Sequence, residues 1–179
     1  MTLLEQHVGG TAEAFGYTNP STGERFKTTP SPGSVLIGEK INTFYLQFKI
    51  GSGSPSGMIT FKAWTETGTL LHTFGTYDAS TIGSSWETVG PDSPTAFDPV
   101  GGLANSTILG AEFTGDSSNY LHQNQSSSDV YDYGNWIKNP ASSPEHKTTD
   151  LWFTVDYGAS TPTASTVFPP PPIAVIGGH

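Results

Sequence analysis

The sequence predicts an all-β protein, built as an antiparallel sandwich of two sheets. Three observations lead to this class. The 21 Gly, 14 Pro, 20 Ser and 24 Thr together fill 79 of the 179 positions, and this composition disfavours helices because Gly and Pro break them and Ser and Thr compete for backbone hydrogen bonds. Aromatic residues make up 12% of the chain and supply apolar bulk for a core. Apolar and polar residues alternate in several short segments, which is the pattern of half-buried strands.

Net charge, the absence of cysteine and the lack of long apolar runs exclude several classes of partner and site. Seven Lys and Arg stand against 16 Asp and Glu, giving a formal net charge of −9, so we expect no nucleic-acid partner. Cysteine is absent, which excludes disulfide bonds, thiolate metal sites and a cysteine nucleophile. No apolar run approaches the ~20 residues that a membrane helix needs, so we expect no membrane span.

The strongest strand signals lie in the middle and near the end of the body. Within Ile41–Ile50 every second residue is apolar from Phe44 onward, and within Asp150–Tyr157 every second residue is apolar from Leu151 onward. Met58–Thr65 and Thr69–Phe74 are predicted to form a hairpin, with Gly68 supplying a positive φ in the turn.

Five weaker segments complete a set of eight or nine strands: Ala12–Tyr17, Glu24–Thr29, Trp86–Val89, Thr107–Thr114 and Asn119–Gln123. We expect Asn119–Gln123 to pair with Thr107–Thr114 across the turn at 115–118, and long loops over 79–105 and 125–149. The resulting organisation is an N-terminal arm over residues 1–10, a sandwich over 11–157 and a Pro-rich tail over 158–179.

The tail has a composition suited to assembly. Four consecutive prolines, Pro169–Pro172, favour a polyproline II rod, and the apolar, β-prone tag Ile173–Ile176 follows them. Such a tag can add as a strand to the exposed sheet edge of a neighbouring subunit. The predicted assembly residues are Phe168, Ile173, Val175 and Ile176.

Three segments of the body resemble a known group of domains. The hairpin sequence TETGTLLHTFGTYDAS (Thr65–Ser80), the segment LGAEFTGDSSNYLHQNQSSSDVYD (Leu109–Asp132) and the closing DLWFTVDY (Asp150–Tyr157) carry the likeness. Together they resemble the jelly-roll domains, similar to carbohydrate-binding modules, of archaeal surface and virus-particle proteins. The resemblance covers roughly Thr11–Tyr157 and implies a jelly-roll sandwich with a role in adhesion, sugar binding or particle architecture. It transfers no ligand residue.

Aromatic and amide side chains suggest a glycan site. Aromatic rings stack on sugar faces, and amides and carboxylates bind sugar hydroxyls. Trp64, Tyr45 and Trp152 are predicted on the outer faces of their strands. The predicted glycan-binding residues, which crowd one region of the sequence, are Tyr120, Asn124, Asp129, Tyr131, Tyr133 and Trp136. The alternative is that these rings are ordinary packing residues.

Calcium is the cofactor that the loop carboxylates would take. Asp116, Asp129 and Asp132 offer the hard oxygen ligands that calcium prefers. The alternative is that these residues form turns and cap their own backbone. The sequence predicts no other cofactor.

The sequence indicates no catalytic centre. Gly51–Gly57 lacks the G-x-S-x-G order of a nucleophile elbow, and no H-E-x-x-H surrounds Glu145. The best single candidate for acid catalysis is Glu112, near Asp116, and we expect no enzymatic activity.

Two functions remain open. The first is a structural subunit of a virus particle or surface assembly, in a decoration, fibre or filament, joined through its terminal arms to copies of itself or to neighbouring subunits. The second is an adhesin that binds cell-surface glycan. Glu5 stands where a signal peptide carries positive charge. This fits a virion protein assembled without secretion, or a chain whose export signal was removed, so the expected location is the virion or the extracellular surface.

Overall fold

The computed structural model describes residues 2–7 and 9–160, and within them the chain is almost entirely strand and loop. Its one helical element there is a 3-10 turn at Ala79–Thr81. The strands are β1 Thr2–Gln6, β2 Thr11–Phe15, β3 Ser21–Phe26, β4 Glu39–Ser52, β5 Met58–Trp64, β6 Leu70–Asp78, β7 Glu87–Val89, β8 Thr107–Glu112, β9 Tyr120–Gln125, β10 Gly134–Lys138, β11 Glu145–His146 and β12 Phe153–Ala159. The predicted all-β class is confirmed. In the described segments, no helix is long and apolar enough to cross a membrane.

The strands form two six-stranded sheets in which the paired strands are antiparallel. The first sheet has the order β1-β12-β4-β9-β2, with β7 pairing along β4. The second has the order β11-β10-β3-β8-β5-β6. The predicted antiparallel, two-sheet architecture is confirmed.

The core lies between the two sheets. It consists of the side chains that point inward from each strand. Phe44 and Phe48 of β4 are buried, as are Phe61 of β5 and Phe153 of β12. The ring of Phe44 meets those of Phe61 and Phe74 edge-on, with centroids 5.4 and 5.1 Å apart. Edge-to-face contacts of this kind add to the free energy gained from burial.

The sequence-based pairings were right for one hairpin and wrong for another. β5 pairs with β6 across the predicted turn, and Gly68 has φ +88°. The predicted pairing of Asn119–Gln123 with Thr107–Thr114 is wrong. β8 pairs with β3 and β5 in one sheet, whereas β9 pairs with β2 and β4 in the other. Alternation marks both segments as strands but does not specify the sheet.

The described part of the predicted N-terminal arm is a strand of the sandwich. Thr2–Gln6 pairs with β12 at the edge of the first sheet. The ring of His7 stacks on Trp152 at 4.4 Å, and the amide of Gly10 donates to Oδ1 of Asn124 at 2.8 Å. These contacts hold the segment against the body.

The predicted loop over 125–149 contains β10 and β11. β10 pairs with β3 and buries Trp136, whose Nε1 donates to Oγ1 of Thr22 at 2.8 Å. The segment lacks a run of alternating apolar residues, so its sequence does not predict these strands. The predicted assembly residues Phe168, Ile173, Val175 and Ile176 lie outside the described residues.

The outer face of the second sheet carries a small apolar cluster of its own. Trp64 lies on this face, as predicted, yet it is only 2% exposed because it packs with Ile108 and Ile137, against which Ala141 also packs. The ring is therefore closed to a ligand.

Candidate binding sites

The predicted glycan residues lie at two ends of one strand. Tyr120 begins β9, and the segment with Asp129, Tyr131 and Tyr133 follows its last residue. Six residues of strand at about 3.3 Å each separate the two ends by roughly 20 Å. The structure therefore does not bring the six predicted residues into a single site.

The loop after β9, residues 126–133, is held by the side chain of Asp150. Its Oδ2 accepts hydrogen bonds from the amides of Val130 at 2.6 Å and Tyr131 at 2.8 Å. The amide of Ser126 donates to the carbonyl of Asp150 at 2.9 Å. One residue next to β12 thus fixes both halves of the loop.

Beneath this loop, Glu24 of β3 and Asp150 form a carboxyl pair in the interior. Their exposed fractions are 1% and 0%. Oε2 of Glu24 accepts from the amide of Leu151 at 3.0 Å, and the remaining oxygens, Oε1 of Glu24 and Oδ1 of Asp150, have no other partner. Protonation of one carboxyl group would supply the donor that two carboxylates lack.

The surroundings of the pair raise the pKa of both carboxyl groups. Burial, followed by the charge of Asp150, raises the pKa of Glu24 well above its ordinary value. Burial also raises the pKa of Asp150, although the amides of Val130 and Tyr131 oppose the change. Of the two carboxyl groups, Glu24 is therefore the one whose protonated form the surroundings favour more strongly.

The tyrosines of the 126–133 loop are largely packing residues. The ring of Tyr131 meets Phe26 and Phe153 edge-on at 5.9 and 5.4 Å, and its hydroxyl donates to Oγ of Ser34 at 2.7 Å. Burial raises the pKa of Tyr131 to about 12. Tyr133 packs against Tyr131 with centroids 5.8 Å apart.

Two other predicted glycan residues have their polar groups occupied. Asn124 is 6% exposed; its Oδ1 holds Gly10 and its Nδ2 donates to Oε1 of Gln47 at 2.6 Å. Trp136 is 4% exposed and lies in the core cluster. Each of these two side chains is a buried link between segments of the chain.

A polar pocket lies at the other end of β9. We call it the loop-end pocket; it has a volume of about 340 Å³ and is lined by Ser54, Ser56, Thr114, Gly115, Asp116 and Asn119. Oδ1 of Asn119 accepts from the amide of Ser54 at 3.0 Å, which joins the two loops of the pocket. Asp116 accepts from the amides of Ser118 and Asn119, and these bonds lower its pKa.

Two tyrosine rings stand beside the loop-end pocket. Tyr17 is 51% exposed, and its ring lies 6.2 Å from that of Tyr120. The amide of Gly115 donates to the carbonyl of Gly16 at 2.7 Å, which seats the turn bearing Tyr17 against the pocket. Sequence reasoning missed Tyr17, and the available signal was an aromatic residue in the turn sequence GYTNP.

A second, more apolar pocket lies at the edge of the second sheet. We call it the edge pocket; it has a volume of about 310 Å³ and is lined by Thr65, Glu66, Thr67, Leu71, Ala104, Asn105, Ser106 and Thr107. Glu66 on its wall forms an ion pair with Arg25, whose Nη2 donates to Oδ1 of Asn135 at 2.7 Å. Leu71 is 41% exposed.

The predicted calcium residues are not brought together. Asp116 caps its own turn at the start of β9, whereas Asp129 and Asp132 are exposed on the loop after that strand. Within residues 2–7 and 9–160, no group of three or more His, Asp or Glu side chains could hold a metal ion.

The best single candidate for acid catalysis in the sequence is held in an ion pair. Glu112 forms an ion pair with Lys62 on the outer face of the second sheet. The carboxyl pair of Glu24 and Asp150 is enclosed by the core and by the 126–133 loop.

Comparisons with known proteins give no match. No family model, curated protein or solved structure matches the chain. The resemblance to jelly-roll domains therefore rests only on the sequence segments quoted above.

Proposed function

We propose that this protein is a non-enzymatic structural subunit of a virus particle or surface assembly, joined to copies of itself or to neighbouring subunits through its terminal segments. The supporting observation is the pair of strand edges that carry exposed leucines. Leu3 on β1 is 45% exposed, and Leu70 and Leu71 on β6 are 51% and 41% exposed. Both strands lie at the edge of a sheet. An edge strand with large apolar side chains is a ready surface for another chain.

The finer fold proposed is a jelly roll. Among the eight strands β2 to β9, one sheet contains β2, β9, β4 and β7, and the other contains β3, β8, β5 and β6. If β2 is counted as the first strand, these are strands 1, 8, 3 and 6 in one sheet and strands 2, 7, 4 and 5 in the other. This alternation between sheets is the order of an eight-stranded jelly roll, an architecture used by capsid and lectin domains. Strands β1, β10, β11 and β12 extend the two sheets. The virion or the extracellular surface is the location that suits this proposal.

The test is removal of Phe168–His179. We expect the truncated chain to keep its thermal unfolding transition and to lose assembly, measured by size-exclusion chromatography with light scattering and by electron microscopy. A matched pair of full-length variants separates sequence from length: Ile173→Ser with Val175→Ser should weaken assembly, and Thr161→Ser with Thr163→Ser should not. Particles of normal size from the truncated chain would contradict the proposal.

The second candidate function is glycan binding, and the loop-end pocket favours it. Exposed Tyr17 and neighbouring Tyr120 offer ring faces, and the hydroxyls of Ser54 and Ser56 with the Asn119 amide offer hydrogen-bonding groups beside them. This is the combination that holds a sugar.

A glycan array tests this candidate. We expect Tyr17→Ala and Tyr120→Ala to remove any retained glycan, and Tyr133→Ala, at the other end of β9, to leave it bound. Loss of binding only in the Tyr133 variant would place the site on the 126–133 loop instead. No retained glycan on the unaltered protein would end the adhesin proposal.

A further inference from the structure

We propose that the edge pocket receives the C-terminal tag Ile173–Ile176 of a second copy of this chain. This inference rests on the proposed assembly function and names the surface that the tag occupies. Its supports are the open edge of β6, the shape of the pocket and the place where the described chain ends.

The edge of β6 is open only at its beginning. The segment 91–97 covers the later part: the amide of Thr95 donates to the carbonyl of Phe74, and a ring nitrogen of His72 is 2.8 Å from the carbonyl of Thr95. In the described part of the chain this cover stops at His72, and Leu70 and Leu71 precede it with 51% and 41% of their surfaces exposed. An added strand therefore has room for a short pairing there.

The edge pocket continues from Leu71 and suits aliphatic side chains. Its lining is mostly apolar and includes Leu71 and Ala104, and its charged member, Glu66, forms an ion pair with Arg25. A cavity of about 310 Å³ has room for one or two side chains of the size of isoleucine. The tag carries two isoleucines and a valine in four residues.

The described chain ends close to this pocket. Ala159, at the end of β12, pairs with Glu39 of β4, and the carbonyl of Glu39 accepts from the amide of Leu103 at 2.8 Å. Leu103 is followed directly by the pocket residues Ala104–Thr107. Twelve residues, 161–172, separate the last described residue from the tag.

The prolines favour a second copy as the source of the tag. Pro169–Pro172 directly precede it, and a polyproline segment of four residues extends by about 12 Å without reversing. A sequence of this kind favours delivery of the tag away from its own body. Each subunit then offers one tag and one pocket, which is a head-to-tail contact that can propagate.

Paired cysteines test the contact directly, because the chain has no cysteine of its own. Full-length Leu71→Cys is mixed with full-length Ile173→Cys under mild oxidation, and we expect a disulfide-linked dimer on a non-reducing gel. Leu3→Cys and Met58→Cys serve as matched controls, since Leu3 and Met58 are 45% and 48% exposed; neither should form the dimer with Ile173→Cys. In addition, Leu71→Asp should weaken assembly by at least about tenfold in concentration, the loss expected for one buried apolar contact.

The outcomes separate this inference from the function on which it rests. If tail deletion abolishes assembly but no Leu71–Ile173 cross-link forms, the edge pocket is not the receptor and the assembly function stands. If a chain that carries both Leu71→Cys and Ile173→Cys cross-links only within itself, at high dilution and at high protein concentration alike, the second-copy assignment is overturned. If tail deletion leaves assembly intact, the proposed function itself fails.

Discussion

The two loops that flank β9 have similar sequences and different environments. Each contains aspartate and serine; Tyr120 lies just after the first loop, and Tyr131 and Tyr133 lie within the second. Before β9, Asp116 is exposed and caps its own turn beside the loop-end pocket. After β9, the 126–133 loop is fastened to Asp150, whose carboxyl group meets Glu24 in the core. The comparison teaches that a loop is packed against the body or left exposed according to which distant residues lie beneath it.

The pKa shifts of Asp116 and Glu24 predict opposite pH dependences of stability for the two regions. Hydrogen bonds to the carboxylate lower the pKa of Asp116, so its stabilising contribution is lost as pH falls through that pKa. Burial raises the pKa of Glu24, so its contribution is present at low pH and is lost as pH rises through the raised value.

The largest expected effect is on the free energy of unfolding, and it contrasts a buried side chain beyond the end of β9 with an exposed one near its start. Trp136→Ala removes a ring that is 4% exposed, together with its bond to Thr22, and should lower the free energy of unfolding by about 3–5 kcal/mol. Tyr17→Ala, at the loop-end pocket, should change it by less than about 0.5 kcal/mol. Urea unfolding of both variants checks the contrast, and equal losses would mean that the two ends are packed alike.

The next effect is the pH dependence of stability. Between the ordinary pKa of glutamate, 4.5, and the raised value in the protein, the folded state keeps a proton that the unfolded chain has released. The free energy of unfolding should therefore fall as pH rises in this range, by at most about 1.4 kcal/mol per pH unit for one proton. Thermal or urea unfolding from about pH 5 to 8 measures it.

Substitution at Glu24 identifies the source of this slope. Glu24→Gln keeps a donor toward Asp150 and an acceptor for Leu151, so it should fold and show a flatter pH profile. Glu145→Gln is the matched control, because Glu145 is exposed and has a lowered pKa. An unchanged slope in Glu24→Gln would show that the carboxyl pair does not set the pH response.

The smallest expected effect is at Asp116. Asp116→Ala removes an acceptor from an exposed turn, and we expect a shift in melting temperature smaller than that of Glu24→Gln, with loss of stability confined to pH values above the lowered pKa of Asp116. Calorimetry at low and at neutral pH checks this. A shift as large as that of Trp136→Ala would show that the turn supports the core.

The strand segments could be predicted from local pattern, and their partners could not. The alternation between Ile41 and Ile50 correctly predicted the buried face of β4. The pairing of Asn119–Gln123 was wrong, since β9 joins β2 and β4 across long sequence distances. β10 escaped prediction because its buried residues include Gly134 and Asn135 beside Trp136 and Ile137.

Residue type names candidate side chains but does not say where the fold puts them. Asp116 lines the loop-end pocket, and Tyr120 lies next to Asn119 of that pocket and 6.2 Å from the ring of Tyr17. The same reasoning assigned Asn124 to a ligand, whereas it holds Gly10 and Gln47. The buried pair of Glu24 and Asp150 could not be foreseen, because its two members are 126 positions apart and meet only in the folded chain.

The position of β4 has a consequence for how the chain reaches its native state. Leu46 pairs with both Val89 and Phe153, and Phe48 pairs with both Glu87 and Gln123. The longest strand therefore pairs with segments that are synthesised much later. Contacts so distant in sequence make folding slow. Until Phe153 is synthesised, the part of β4 from Glu39 to Leu46 lacks its β12 partner, and an unpaired apolar strand of this kind favours aggregation of the nascent chain.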